Sequence, residues 1–227
     1  MLDRFELQQI WNRSHHKKPA SEEPEDGIVP FVENLQKQLP PKAALLDVGC
    51  GRGRNTLYLS QLGFSVWGCD LSPVSLEVAQ RRAQQMDLPI NFQVSDLTCL
   101  PYRDNSFAGA ICVHVLPYHL KADIAKGIRE LWRVVHPNGW VYVDFLDCDD
   151  AEYGCGQTLE EHTFLDPEGT PIHFSSQQEI SELLSGFASE CMSRHELKSS
   201  SPHCRVIWRI WAIKSRTSIM EFKHRAG

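Results

Sequence analysis

Gly49, Gly51 and Gly53 alternate with Cys50 and Arg52 in the stretch LLDVGCGRGRN, directly after an apolar run and directly before a segment of helical spacing. Glycine puts no Cβ between a ligand and the backbone, and amides that open a helix favour negative charge, so this turn predicts a nucleotide-like ligand. The spacing is GxGxG, with Asp47 two residues ahead of it; the dinucleotide fingerprint GxGxxG would need glycine at position 54, which is Arg54. Two further acids fall in step. Asp70 ends the run SVWGCD about twenty residues downstream, where a carboxylate can accept hydrogen bonds from both hydroxyls of a ribose, and Asp96 ends INFQVSD. With all three runs as strands, these acids stand at the carboxyl ends of neighbours, where ligands of open α/β sheets bind.

Positioning such residues takes an alternation of strands and helices, and the chain shows one from Ala43 onward. AALLDVG, SVWGCD, INFQVSD, FAGAICVHV and WVYVDFL are short apolar strands. TLYLSQLG is a helix closed by Gly63, SPVSLEVAQRRAQQM is a helix that Ser72 can cap with Pro73 at its first position, and KADIAKGIRELWRVVH is a crossover helix before the tight turn HPNG. Two β-rich segments, around Glu190 to Lys198 and Arg205 to Lys214, lie too close together for a helical crossover and must pair as an antiparallel hairpin. The expected fold is α/β: an open, mostly parallel sheet of seven strands, with helices on both faces and a C-terminal antiparallel hairpin.

Ahead of the sheet, residues 2–12 read as a short amphipathic helix, NRSHHKKPASEEPEDG as a loop, and Gly27 to Leu39 as a second helix ended by Pro40 and Pro41. The organisation expected is an N-terminal helical cap segment over 1–40, the main domain over 41–215 and a tail over 216–227. The stretch of about 28 residues from Cys148 has no periodicity, and a loop of that length reads as an active-site cover. A second cover is expected from the segment around Trp11.

On LDVGCGRG, GCDLSP, SDL and LWRVVHPNGWVYV the sequence resembles the class I S-adenosylmethionine-dependent methyltransferases over roughly Ala43 to Leu146. Within them, GRGRNTLYLSQLGFSVWGCDLSP and PIHFSSQQEISELLSGF are similar to the tellurite-resistance type, which implies a small-molecule substrate. The resemblance implies a Rossmann-like sheet and S-adenosylmethionine as cofactor. It places Gly49, Gly51 and Gly53 beneath the methionine part, with Asp47 orienting its amino group. Asp70 would hold the ribose, Leu71 would pack on the adenine, Asp96 would accept from its exocyclic amine beside the Leu97 amide, and His114 and Val115 would lie beneath the sulfonium. Methyl transfer from a sulfonium is an in-line displacement with a good leaving group, so positioning dominates and a strong acid or base is optional. Tyr118 and His119, in LPYHL after the fourth strand, are the candidate catalytic residues. The NPPY-type tetrapeptide used on amino groups of bases and glutamine is missing.

The bulk properties narrow the partners. The chain has 227 residues, 23 basic against 29 acidic and a net charge of -6, a balance that disfavours a dedicated nucleic-acid binder. At 42% apolar and 23% charged the composition is that of a globular protein. No apolar run is long enough to cross a bilayer, and charges interrupt the N-terminus where a signal peptide needs its hydrophobic stretch, so a cytoplasmic protein with reduced thiols is expected. Cys148, Cys155, His162 and His173 fit no common zinc spacing, and no metal is expected. Three readings follow: a methyltransferase acting on a small molecule (a metalloid or chalcogen oxyanion, a thiol or a small metabolite), an S-adenosylmethionine-binding module with a regulatory or partner role, and an RNA methyltransferase, which the acidity disfavours.

Overall fold

The computed structural model describes residues 4–17, 22–198 and 204–215. Its parallel strands are β1 (Ala44–Val48), β2 (Ser65–Asp70), β3 (Asn91–Val94), β4 (Phe107–Cys112) and β5 (Val135–Asp147), arranged β3-β2-β1-β4-β5. Between them run α3 (Arg54–Gln61), α4 (Pro73–Gln85) and α5 (Lys121–Val134). β9 (Phe187–Lys198) and β10 (Cys204–Lys214) form the expected antiparallel hairpin, and β10 lies antiparallel along β5 with Ile210 opposite Val143. Together these are the seven strands read from the sequence. The expected tail, 216–227, lies outside the described residues.

Alternation along the strands sends apolar side chains to both faces. On one, Leu46, Val48, Val141, Val143 and Phe145 pack with Ile124, Ile128 and Leu131 of α5. On the other, Leu45, Ile111 and Tyr142 meet Ile28, Phe31, Val32 and Leu35 of α2 (Ile28–Gln38), whose spacing stacks them on one helix face. Phe31 is fully buried, with Trp211 edge-on at 5.9 Å; burying such a side chain contributes about 1.5–3 kcal/mol. The Ser72 hydroxyl accepts from the Ser75 amide at the start of α4, with Pro73 at the first helical position, as the sequence predicts.

Three departures from the sequence reading matter for the site. Helix α1 spans Arg4–Lys17, five residues past the expected end, because nothing before Pro19 breaks a helix. β5 starts at Val135 and carries HPNG inside it as a bulge: Phe107 pairs with Val135 and Gly109 already with Trp140, while Asn138 takes φ +64°.

The third departure is the stretch after Asp147, which is not a loop. It folds as β6 (Gln157–Glu160), β7 (Thr163–Leu165) and β8 (Pro171–Ser175), antiparallel among themselves. Leu146 and Asp147 of β5 pair in parallel with Phe174 and Ser175, beyond the point where β4 ends. The strands are three to five residues long, too short for a periodicity to register. Charges pin what precedes them: Arg205 pairs with Glu152 at 2.9 Å, Arg194 with Asp149 at 2.7 Å, and the Val206 amide donates to Asp150. A buried polar chain anchors the cap from beneath. Thr163 Oγ1 lies 2.7 Å from His173 Nδ1, His173 Nε2 lies 3.3 Å from Glu179 at the start of α6 (Gln177–Leu183), and Glu179 pairs with Lys121 at 2.8 Å. Burial pushes the Glu179 carboxyl up, but His173 and Lys121 outweigh it and hold it down at about 2. The stabilisation from this group is complete above the ordinary 4.5 and is lost as pH falls from there to about 2. Melting temperature followed by circular dichroism should drop across that window, and Glu179→Gln should flatten the drop; an unchanged slope would remove Glu179 from the anchor.

Candidate functional site

The carboxyl ends of β1, β2 and β4 open into a crevice of about 610 Å³ lined by Trp11, Gly49, Asp70, Leu71, Asp96, Leu97, His114, Val115 and His119, among others. Sequence-predicted residues from strand ends more than sixty positions apart thus converge on one cavity. Asp47, Gly51, Gly53 and Tyr118 stand behind its wall.

The glycine turn is held from below. Gly49 and Cys50 donate to the Cys69 carbonyl at 2.7 and 2.9 Å, Gly53 donates to Cys50, and Gly51 donates to Asp70 Oδ2 at 2.8 Å. Gly49, Gly51 and Gly53 all have positive φ, +70°, +53° and +84°. A Cβ on Gly49 would stand 2.1 Å from Val115 Cγ2, so the turn is a surface that only glycine leaves open. These four amides are taken by protein acceptors, so the turn offers a ligand its Cβ-free surface rather than their N–H groups.

Asp47 is buried beneath the turn and accepts a 2.6 Å hydrogen bond from Thr56 Oγ1. Burial raises its pKa to about 7, against the lowering pull of Thr56. The fold therefore keeps a proton that the unfolded chain releases near 3.8, and stability falls as pH rises from 3.8 to about 7. Asp47→Asn, neutral at every pH, should match the parent at pH 3 and exceed it at pH 8 by on the order of 4 kcal/mol in urea unfolding. An equal difference at both pH values would show that Asp47 is ionised in the fold.

Asp70 Oδ1 accepts from the Ser72 amide at 2.8 Å, so each oxygen of this nearly buried carboxylate has a backbone donor that orients it at the edge of the crevice. Asp96 Oδ1 takes the Thr98 amide and hydroxyl, both at 2.6 Å. Leu97 is buried against Gly127 of α5, where a Cβ would come within 2.5 Å of Leu97 Cγ; the sequence reading had no signal for that glycine.

Helix α1 roofs the crevice through polar contacts. Arg4 Nε lies 2.8 Å from Asp96 Oδ2, Gln8 Nε2 donates to the Leu71 carbonyl at 2.8 Å, and the Ser72 hydroxyl donates to Asn12 Oδ1 at 2.6 Å. Trp11 lines the crevice and meets the Tyr118 ring edge-on at 5.4 Å. Burial raises the Tyr118 hydroxyl pKa. His119 Nδ1 lies 2.9 Å from the Val115 carbonyl, and burial lowers its pKa. His119 also borders a second cavity, under the cap, with Leu7, Leu120, Leu159, Leu165 and Pro171.

His114 departs most from its strand-end expectation. It follows β4 at φ +56°; its amide donates to Asp144 Oδ1 at 2.8 Å, and its ring Nδ1 lies 3.0 Å from Asp144 Oδ2. Asp144 is buried on β5 and was not among the predicted residues. The available signal was a fourth acid near the carboxyl end of a central strand, in WVYVDFL. Among the described residues no group of three or more His, Cys, Asp or Glu could hold a metal ion, none of the cysteines is in a disulfide, and no helix is long and apolar enough to cross a membrane.

Comparison with known proteins agrees with this geometry. The family described as "Methyltransferase domain" matches residues 46–143, from β1 into β5. Ubiquinone biosynthesis O-methyltransferase of Coxiella burnetii is 29% identical over 141 residues, 61% of this chain and 59% of that protein. A crystal structure of a SAM-dependent methyltransferase from Methanosarcina mazei superposes with TM-score 0.72 at 25% identity, covering 82% of this chain and 97% of that one. TehB from Haemophilus influenzae has the same fold, with TM-score 0.66 at 18% identity over 84% of this chain and 64% of that one. The chain spans about half the length of the curated relatives it matches. S-adenosylmethionine, the cofactor of this fold family, suits what the crevice offers: an open glycine surface for its methionine part, and Asp70 and Asp96 for hydroxyls and an amine. With the glycine turn and the strand-end acids in one crevice, the matched residues 46–143 are a methyltransferase domain, on a fold shared with S-adenosylmethionine-dependent methyltransferases.

Proposed function

We propose that the protein transfers the methyl group of S-adenosylmethionine to a small molecule, with residues 41–215 as the catalytic unit and the preceding 40 residues as its cap. The convergence of Gly49, Asp70 and Asp96 on one crevice roofed by α1 carries the reading. The cofactor supplies an electrophilic methyl on a cationic sulfur; the chain's own residues hold and orient it and exclude water. Asp70 would take the ribose hydroxyls, Asp96 the adenine amine, Leu71 and Leu97 the adenine faces, and the turn from Asp47 to Gly53 the methionine part. His114 and His119 would face the acceptor, with Tyr118 behind them against Trp11.

A small acceptor suits a site enclosed by α1 on one side and the β6–β8 cap on the other, and the cavity bordered by His119, lined by leucines and by Glu6, Asp123 and Glu160, offers room for its bulk. Relatives include methyltransferases of ubiquinone and demethylmenaquinone biosynthesis, which is support of the same kind. A cytoplasmic, reducing setting goes with this reading, in keeping with the buried free thiols Cys50, Cys69 and Cys112. The test is a turnover screen with S-adenosylmethionine on phenols, thiols, tellurite, selenite and arsenite, and on RNA, reading S-adenosylhomocysteine. Turnover on a small acceptor is expected. Turnover on RNA alone would favour an RNA methyltransferase, and donor binding with turnover on nothing would favour a binding module.

A further inference from the structure

We propose that His114, oriented by Asp144, is the proton acceptor of the reaction and that the acceptor it serves is a hydroxyl on an uncharged small molecule. The inference rests on the methyltransferase reading above and deepens it. Asp144 grips His114 twice, at the backbone amide (2.8 Å) and at ring Nδ1 (3.0 Å), while the residue takes φ +56°, a conformation that a non-glycine residue rarely adopts unless its surroundings impose it. An ionised carboxylate 3.0 Å from Nδ1 favours the tautomer with the proton on Nδ1, which leaves Nε2 its lone pair. The Asp144 side chain is 3% exposed and the His114 side chain 38%, and the ring faces the crevice. One partner is thus fixed in the protein and the other is presented to the ligand.

The other candidates lack this arrangement. His119 rests on a carbonyl rather than a carboxylate and burial lowers its pKa, and the buried Tyr118 hydroxyl keeps its proton. The Asp144 charge raises the His114 pKa above 6.5; burial opposes it, Glu25 before α2 adds to it, and Arg54 at the start of α3 subtracts from it.

The same charges select the acceptor. Asp70, Asp96 and Asp144 lie in or beside the crevice, so an oxyanion would meet like charge, and it needs no base. A neutral hydroxyl does need one. As its oxygen bonds to the methyl carbon, the O–H bond breaks and the proton passes to Nε2. The carbon–sulfur bond breaks with its electron pair left on sulfur, and Nε2 then releases the proton to water.

The test uses His114→Asn, since asparagine tolerates positive φ, and Asp144→Asn, which still has an oxygen for the His114 amide. With phenols as acceptors, kcat should fall at least about 100-fold in His114→Asn, with calorimetric affinity for S-adenosylhomocysteine changed less than threefold. In the parent protein kcat/KM should rise with pH through a value above 6.5; in Asp144→Asn the rise should move to lower pH. The readout independent of turnover is an NMR titration of the His114 ring without donor, whose midpoint should drop in Asp144→Asn. An unmoved midpoint, or kcat within threefold of parent in His114→Asn, overturns the proposal. So does turnover confined to thiols or oxyanions. Absence of donor binding to the parent would instead overturn the methyltransferase reading itself.

Discussion

Asp70→Ala should weaken S-adenosylmethionine binding by about 100-fold or more. A hydrogen bond to a charged acceptor is worth about 1.5–3 kcal/mol, and a carboxylate that lines the crevice can accept from both hydroxyls of a ribose. Two such bonds correspond to roughly two orders of magnitude in affinity. The substitution has a second cost, because Asp70 Oδ2 is also the acceptor for the Gly51 amide and ties the glycine turn of β1 to the end of β2. Asp70→Asn should recover only part of the loss, since its NH2 must face the amide of either Gly51 or Ser72, donor against donor. Calorimetry with S-adenosylhomocysteine measures both variants. An affinity within threefold of the parent in Asp70→Ala would take Asp70 out of the site.

Gly49→Ala should be more damaging, affecting binding and stability together. Its φ of +70° is left-handed, which costs a residue with a Cβ about 1–2 kcal/mol. The new Cβ would also stand 2.1 Å from Val115 Cγ2, a separation that no van der Waals contact allows. Relief has two routes. The turn can lift away from β2, breaking the 2.7 Å bond from Gly49 to Cys69, or Val115 can move and carry His114 with it. Either one deforms the crevice wall. A total near 3 kcal/mol corresponds to a drop of about 6–12 °C in Tm for a chain of this size, with donor affinity down at least about 30-fold. Gly63→Ala is the matched control: its φ is +90° and a Cβ there meets nothing within 4 Å, so it should carry the backbone cost alone and leave binding intact. If the two variants behave alike, the close approach at Gly49 has no consequence.

The parts of this protein that were legible in the sequence are those dictated by local rules. Alternating apolar runs and helical segments imply crossovers and hence a parallel sheet, while the short gap between Lys198 and Cys204 admits only a hairpin. Ser72 and Pro73 announce the start of α4 because capping involves only neighbours. The residue pattern alone puts Asp47, Asp70 and Asp96 on one edge, since each ends a strand and parallel strands bring their carboxyl ends together. The β6–β8 cap was not legible, because strands this short are made by their partners: Phe174 and Ser175 pair with Leu146 and Asp147, and Glu179, His173 and Lys121 meet from three separate elements.

The sequence by itself determined the class of the fold, the turn that admits a ligand without a Cβ in the way, and the acids at its edge, because each depends on residue type and spacing along a few tens of residues. Only the tertiary structure decided how those groups are used. Whether the Gly51 amide faces an anion or Asp70, whether Asp47 opens on the crevice or turns to Thr56 beneath it, and whether His114 stands alone or on Asp144 depend on atoms 19, 9 and 30 residues away in the chain. A hydrogen bond or a desolvated charge is a property of distance in space, and in an α/β sheet that distance is set by strand order, which local pattern does not encode.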